Sequence, residues 1–99
     1  MTAAIEAAEA GCEVILIEKA PYLGGRVARM NLYFPKLCPP SCGLEIHLKR
    51  IRSHPNIKVL TQAELLELSG PAGDYTATVN VSPRYVTAAC TRCGACADK

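Results

Sequence analysis

Three cysteines near the end of the chain, Cys90, Cys93 and Cys96, have a spacing that suits metal chemistry. Two residues separate each from the next, and thiolates at this spacing wrap a tight loop around a cubic iron–sulfur cluster, each binding a different iron. Gly94 favours such a loop, because a residue without a side chain lets backbone N–H groups approach the cluster. The ferredoxin pattern then predicts a fourth cysteine directly after Lys99. A zinc site and a redox dithiol are the alternatives.

A second group of candidate residues begins at Glu18, which follows an apolar run and precedes a glycine pair, Gly24 and Gly25, and Arg26. An acidic residue at the end of a buried strand binds the adenosine ribose hydroxyls in dinucleotide-binding folds. Two glycines let the backbone approach a pyrophosphate, and the arginine can neutralise its charge. With Lys19 assigned to the same site, this spacing predicts FAD rather than NAD. An ordinary strand end followed by a flexible loop is the alternative.

The remaining cysteines and the histidines are less specific. Two prolines stiffen the segment between Cys38 and Cys42 and hold both thiols near a helix start, where the helix dipole favours thiolate. A pair of cluster ligands, a redox pair and a pair of buried, inert thiols are all compatible with this segment. Cys12 precedes a buried strand and is predicted to be structural. His47 and His54 lack metal-ligand spacing to the cysteines, so surface or capping roles are predicted for them.

The elements that must position these residues begin with a helix and a strand. Residues 2–10 are dominated by Ala and Glu, which favour a helix, and Gly11 can end it. Residues 13–18 contain the run Val-Ile-Leu-Ile, which is typical of a strand buried on both faces in a parallel sheet. A helix, a short turn and a buried strand form the second half of a βαβ unit whose first strand is missing. The predicted fold class is therefore α/β, a partial Rossmann-like FAD-binding fold.

A second helix follows an irregular segment. Residues 34–42 hold three prolines, so no regular element is expected there, and Ser41 is predicted to cap the helix that follows. His54-Pro55 is predicted to end that helix. Its apolar face is predicted to consist of Leu44, Leu48 and Ile51.

The remainder is predicted to hold a short strand at residues 57–60, then a β-hairpin. The hairpin strands are residues 65–69 and 75–81, joined by a turn rich in Gly and Pro. We divide the chain into a partial Rossmann-like domain at residues 1–82 and the start of a ferredoxin-like [4Fe–4S] module at residues 83–99.

Composition limits the possible classes of protein. The 99 residues are 49% hydrophobic and 20% charged, as in a folded domain, and the net charge of +2 argues neither for nor against nucleic acid. The basic cluster at residues 49–52 is interpreted as a solvated helix face, so no nucleic-acid partner is predicted. The longest apolar run, residues 14–17, is far shorter than the ~18 residues of a membrane-spanning helix. Without a signal peptide, a cytoplasmic, reducing location is expected, where cysteines serve as metal ligands or redox thiols.

Several segments, in order, resemble the heterodisulfide reductase A family: residues 4–11, 14–19, 23–29, 38–43 and 83–86, followed by the cysteine triplet. Through residues 31–38 and the proline pair that follows, the resemblance is closest to the corresponding component of the quinone-interacting membrane-bound oxidoreductase of sulfate reducers. The resemblance covers nearly the whole chain, and the motifs are specific in combination.

This resemblance implies an oxidoreductase subunit in which FAD relays electrons among [4Fe–4S] clusters. The chain would work with other subunits of a redox complex, either soluble or docked to a membrane partner, without inserting into the membrane itself. It implies FAD contacts from Glu18 and residues 24–26, and cluster ligands at Cys90, Cys93 and Cys96. Cys38 and Cys42 match a cysteine segment near the flavin. Catalysis would belong to the cofactors, so no general acid, base or nucleophile is predicted in the chain.

The resemblance also predicts that the chain is part of a longer protein, because the first strand and its glycine loop are missing. Without them, we expect the chain alone to bind FAD poorly or not at all. A non-enzymatic zinc or iron–sulfur module that uses the terminal cysteines for assembly is the competing function. A nonfunctional fragment of an open reading frame is a third interpretation.

Overall fold

A computed structural model describes residues 1–86 and 89–96 of the chain. Within them the elements follow in the order α1 (Thr2–Glu9), β1 (Val14–Glu18), a 3₁₀ helix (Val27–Arg29), α2 (Ser41–Ser53), β2 (Ile57–Thr61), β3 (Ala63–Ser69) and β4 (Thr76–Val81). The architecture is mixed α/β, with a parallel strand pair and an antiparallel hairpin. Residues 97–99, the three positions ahead of the expected fourth cysteine, lie outside the described residues. A complete Rossmann fold and a ferredoxin module stay predictions.

The parallel pair of β1 and β2 confirms the predicted strand type. Val14 lies opposite Ile57 at one end of the pair, and Glu18 lies opposite Thr61 at the other. Two parallel strands need a long crossover connection, which here contains the 3₁₀ helix and α2. The carboxyl ends of both strands, with Glu18 and Thr61, therefore meet at one edge of the sheet.

The prediction that β1 is buried on both faces is wrong. Ile15 is 62% exposed, whereas Val14, Leu16 and Ile17 are half-buried. Successive side chains of a strand point to opposite faces of a sheet. A two-stranded sheet carries too few packed elements to cover both faces, so an apolar residue of β1 stays in contact with solvent.

The two helices supply most of the core. Ile5 and Ala8 of α1 are spaced to lie on one helix face, and both are buried together with Ile51 of α2 and Ala63 at the start of β3. The predicted apolar face of α2 is confirmed, because Leu44 and Leu48, its members besides Ile51, are half-buried. An ion pair between exposed side chains of Glu9 and Arg50 also joins the helices.

The ends of α2 agree only in part with prediction. Ser41 was expected to cap the helix, but it is already the first helical residue, and Pro40 occupies the capping position. The Pro40 carbonyl accepts a hydrogen bond from the Leu44 N–H at 3.0 Å. Proline has no side-chain oxygen, so this end lacks a side-chain cap. At the other end the helix stops before His54, as predicted, and the His54 Nδ1 atom accepts a hydrogen bond from the Asn56 N–H at 3.2 Å.

The hairpin of β3 and β4 is confirmed, although β3 begins two residues earlier than predicted. The ladder runs from Ala63 opposite Val81 to Ser69 opposite Thr76, with an irregularity between Leu65 and Glu67. The predicted turn is present: the Asp74 N–H donates to the Pro71 carbonyl at 3.0 Å. Apolar side chains on both strands of the hairpin are exposed, among them Leu65, Leu66, Leu68 and Val81.

Candidate functional site

A groove of about 450 Å³ brings together three of the residues predicted to bind FAD: Glu18, Gly24 and Gly25. The groove lies at the carboxyl end of β1, where ligands of open α/β sheets bind. The start of α1, the glycine loop and one side of α2 contribute the other walls. The remaining lining residues are Met1, Thr2, Leu16, Ile17, Leu23, Val27, Leu44 and His47.

Glu18 is half-buried, and its own turn fixes the carboxylate. The Ala20 N–H donates a hydrogen bond to the Glu18 Oε1 atom at 2.8 Å. A carboxylate has about four acceptor sites, so this bond leaves most of its capacity free. Glu18 can therefore accept further hydrogen bonds from hydroxyl groups of a molecule in the groove.

The two glycines of the loop meet different constraints. Gly24 has a φ angle of +116°, and a Cβ atom added there would lie 2.9 Å from the Ala28 Cβ atom and 3.6 Å from the δ-carbons of Leu44. Gly24 therefore allows the loop to pack against the 3₁₀ helix and α2. Gly25 has a φ angle of +53°, but within 4 Å an added Cβ atom would meet none of the described residues other than its chain neighbours. Only its backbone conformation favours glycine.

Lys19 and Arg26, also predicted to bind FAD, are not part of the groove lining. The Lys19 Nζ atom lies 3.0 Å from the Glu64 Oε1 atom, and both side chains are largely exposed. This ion pair joins the end of β1 to β3. Arg26 is exposed at the start of the 3₁₀ helix. The described geometry thus brings together three of the five predicted FAD residues.

His47 is a groove residue that the sequence analysis missed, since a surface or capping role was expected for it. It is half-buried on α2 and lines the groove with Glu18. Its spacing from Leu44, Leu48 and Ile51 places it on the buried face of the helix. That spacing was the signal available in the sequence. The corresponding expectation for His54 is confirmed, because its ring accepts a hydrogen bond just after the helix end.

The cysteine triplet lies on an exposed loop with two turning points. Arg92 and Gly94 have φ angles of +57° and +82°, so the backbone curls on both sides of Cys93. A backbone hydrogen bond from Ala95, and then a side-chain hydrogen bond from Thr91, lower the pKa of the Cys93 thiol. The loop therefore favours the thiolate form, which is the form that binds metals.

The donor set of this loop suits an iron–sulfur cluster, although its sulfurs are not gathered around one point. Among residues 1–86 and 89–96, no group of three Cys, His, Asp or Glu side chains is placed to hold a single metal ion. Ligands of a cubic cluster bind different irons, so they need not converge as ligands of one ion do. Cys90, Cys93 and Cys96 are all free and exposed, which leaves them accessible to a cluster.

The other thiols differ in exposure. Cys38 is half-buried, and its carbonyl accepts a hydrogen bond from the Tyr33 N–H at 3.2 Å. Cys42 is exposed in the first turn of α2. Neither forms a disulfide, and the exposure of Cys42 argues against a pair of buried, inert thiols. Cys12, predicted to be structural, is exposed as well, so its side chain contributes little to packing.

Comparison with known proteins gives consistent matches along the chain. An iron–sulfur component of the CoB–CoM heterodisulfide reductase of Methanopyrus kandleri, of the A type, is 44% identical over 97 residues, which is 97% of this chain and 15% of the relative. The corresponding protein of Methanocaldococcus jannaschii is 37% identical over 99 residues, 96% of this chain and 15% of the relative. The chain is homologous to one segment of the heterodisulfide reductase A proteins. No protein-family model matches it.

The segment is short relative to these proteins. The A component of the ferredoxin:CoB–CoM heterodisulfide reductase of Methanosarcina acetivorans is 36% identical over 97% of this chain, but over only 12% of its own length. The chain thus spans about 12–15% of the relatives it matches. Within the described residues, no helix has the length and apolar character needed to cross a membrane.

Proposed function

We propose that the chain is the part of a heterodisulfide reductase A-like oxidoreductase that binds FAD beside a [4Fe–4S] cluster. The observation that carries this proposal is the groove at the carboxyl edge of the parallel sheet. There a carboxylate, Glu18, and a close-packed glycine loop, Gly24 and Gly25, line one cavity. Carboxylate and glycine loop are the two features that an adenosine ribose and a pyrophosphate require.

The groove residues would bind and orient the flavin nucleotide. Glu18 would accept hydrogen bonds from ribose hydroxyls with the capacity that its bond to the Ala20 N–H leaves free. The backbone at Gly24 and Gly25 would let the pyrophosphate approach the start of α1, where unpaired N–H groups favour an anion. When bound, FAD supplies the electron-transfer chemistry, since flavins accept and donate electrons. Arg26 would contribute positive charge near this site without lining the groove, whereas the charge of Lys19, which also lies outside the lining, is paired with Glu64.

The cysteines would hold the iron–sulfur centre. Cys90, Cys93 and Cys96 would each supply a thiolate, and the lowered pKa of Cys93 favours its metal-binding form at a lower pH than usual. Cys38 and Cys42 would ligate a second centre at the start of α2. The two relatives from Methanopyrus kandleri are named as iron–sulfur proteins of the reductase, which supports an iron–sulfur cofactor in this proposal.

The partners in this proposal are other subunits of a cytoplasmic redox complex. The relatives are named as subunits of heterodisulfide reductases, and some of the names include ferredoxin or H₂. The closer resemblance to the quinone-interacting oxidoreductase stays a prediction from residues 31–38. A non-enzymatic metal-binding module is the second candidate, and the exposure of all three triplet thiols favours metal binding independently of the groove.

Anaerobic reconstitution with iron and sulfide, combined with FAD titration by equilibrium dialysis, tests the proposal. The expected result is broad visible absorption with bound iron and sulfide, which Cys93→Ser reduces, and FAD affinity that Glu18→Gln reduces about tenfold. A difference of tenfold corresponds to about 1.4 kcal/mol, within the range for a charge-assisted hydrogen bond. Zinc binding without broad visible absorption would favour the non-enzymatic module instead.

A further inference from the structure

The segment between the 3₁₀ helix and α2 exposes a run of large apolar side chains. We call residues 30–37 the apolar loop. Single exposed apolar residues are normal on a protein surface, whereas a contiguous set marks an interaction surface. Five of the eight side chains of the apolar loop belong to such a set, and each is about half exposed or more: Met30 (48%), Leu32 (51%), Tyr33 (48%), Phe34 (80%) and Leu37 (64%).

Two backbone hydrogen bonds hold the apolar loop in a defined turn. The Tyr33 N–H donates to the Cys38 carbonyl at 3.2 Å, and the Leu37 N–H donates to the Tyr33 carbonyl at 2.9 Å. Leu37 has a φ angle of +48°, a conformation that costs a non-glycine residue free energy and that these bonds maintain. Phe34 lies inside the turn that they close. A turn already held in one conformation loses less entropy when a partner binds it.

The chain around the apolar loop carries positive charge without negative charge. Residues 19–44 contain four Lys or Arg residues and no Asp or Glu. One of the four, Lys19, is paired with Glu64. The other three are exposed and form no ion pair among the described residues; they are Arg26, Arg29 and Lys36. Because partner surfaces are complementary in charge, this segment suits a surface that carries carboxylates.

We propose that the apolar loop is a docking surface for a partner protein whose own surface holds carboxylates around an apolar pocket. Phe34 would fill the pocket, and Arg29 and Lys36 would pair with the carboxylates at its rim. Aromatic residues, Met and Arg are enriched in protein interfaces, and a few buried anchors carry most of the affinity. The inference goes beyond the proposed function, because it requires neither a flavin in the groove nor a cluster at the cysteines.

A protein partner fits the apolar loop better than a membrane surface does. Anionic lipids are recognised by clusters of about four to eight Lys or Arg residues, more than the three cations near this loop. The Arg29 Nε atom donates to the Tyr22 hydroxyl at 2.9 Å, which orients the guanidinium. An oriented guanidinium favours the directional pairing that a carboxylate on a protein offers.

Selection of displayed short peptides against the full chain tests the proposal. The selected peptide, made synthetically, is the probe, and its affinity is measured by fluorescence anisotropy. We expect it to be rich in acidic and aliphatic residues, and Phe34→Ser to weaken its binding at least about tenfold. Tyr85→Ser is the matched control, since Tyr85 is 93% exposed outside the apolar loop, and it should leave the affinity within about twofold of the parent.

The charge part of the proposal is tested by comparing Lys36→Gln with Lys49→Gln, since Lys49 is an exposed lysine on α2. Lys36→Gln should weaken peptide binding about two- to fivefold at low salt and reduce its salt dependence, whereas Lys49→Gln should change neither. The circular dichroism spectrum of Phe34→Ser should match that of the parent, because a side chain that is 80% exposed contributes little to the core.

Three results would overturn the inference. Selected peptides without acidic residues would contradict the charge argument. Peptide binding that Phe34→Ser and Lys36→Gln leave unchanged would place the interaction elsewhere on the chain. Failure to select any peptide would remove the protein partner, and binding to phosphatidylglycerol vesicles that Phe34→Ser abolishes would then assign the loop to a membrane surface. None of these measurements involves FAD or iron, so the proposed function stands or fails separately.

Discussion

Replacing Gly24 with alanine should destabilise the chain strongly, for two reasons. The φ angle of +116° lies in a region that costs a non-glycine residue about 1–3 kcal/mol. The new Cβ atom would also lie 2.9 Å from the Ala28 Cβ atom, closer than the ~3.5–4.0 Å that carbon atoms in contact prefer. Overpacking of this kind costs about 1–3 kcal/mol. Together the two effects predict a loss of about 2–6 kcal/mol in the free energy of unfolding.

Gly25→Ala is the matched control. Its φ angle of +53° is in the left-handed helical region, and the added Cβ atom would meet no described residue beyond its chain neighbours within 4 Å, so only the backbone cost of about 1–2 kcal/mol applies. Small domains unfold with about 5–15 kcal/mol, so Gly24→Ala should remove a large part of the stability. Urea unfolding followed by far-UV circular dichroism measures both losses.

Equal losses in the two glycine variants would refute the packing argument at Gly24. A double variant, Gly24→Ala with Ala28→Gly, separates the two causes. It should recover the part of the loss that comes from the contact between Cβ atoms and retain the part that comes from the backbone. No recovery would mean that strain at φ +116° accounts for the whole effect.

Cys93 should react with iodoacetamide at a lower pH than an ordinary cysteine, because hydrogen bonds from the Ala95 backbone and the Thr91 side chain lower its pKa. Thr91→Val should move the pH–rate profile, followed by peptide mass spectrometry, to higher pH, and an unchanged profile would contradict the assigned role of Thr91. Arg50→Met should cost less than about 1 kcal/mol in urea unfolding, because the ion pair with Glu9 is exposed, and less still in high salt. A loss that is insensitive to salt would show that packing of the Arg50 stem matters instead. FAD should be lost from the isolated chain during gel filtration, because the groove lining, within the described part of the chain, holds no lysine or arginine side chain to offset the pyrophosphate charge. Stoichiometric flavin absorbance in the protein peak would contradict this expectation.

The sequence predicted the features that depend on local pattern. The apolar run Val-Ile-Leu-Ile predicted β1, and parallel pairing with β2 places Glu18 at the carboxyl edge of a sheet. The apolar spacing in α2 identified Ile51 as a core residue. The Gly24-Gly25 loop also lies against the groove, as its spacing from Glu18 indicated.

Features that depend on what surrounds a residue were not predictable in this way. The exposure of Ile15 depends on how many elements cover the sheet, which its apolar character does not reveal. Ser41 has the side chain of a capping residue, but the helix begins one position earlier than that role requires. Among the described residues the buried Thr61 Oγ1 atom has no hydrogen-bond partner, and that outcome depends on the loop and helix packed around it. Each of these outcomes is decided by contacts between distant segments.

Helix α2 connects two of the three candidate cofactor sites, the groove and the segment from Cys38 to Cys42. Cys42 supplies an exposed thiol in its first turn, and Leu44 contacts the glycine loop. His47 lines the groove, and Ile51 is buried in the core. At a rise of about 1.5 Å per residue, the thiol and the groove residue are about 7.5 Å apart along the axis. Burial of Ile51 fixes the helix against the rest of the core. In the proposed function, a cluster at Cys42 and a flavin in the groove would be held at a constant separation by one rigid element, so electron transfer between them would need no conformational change.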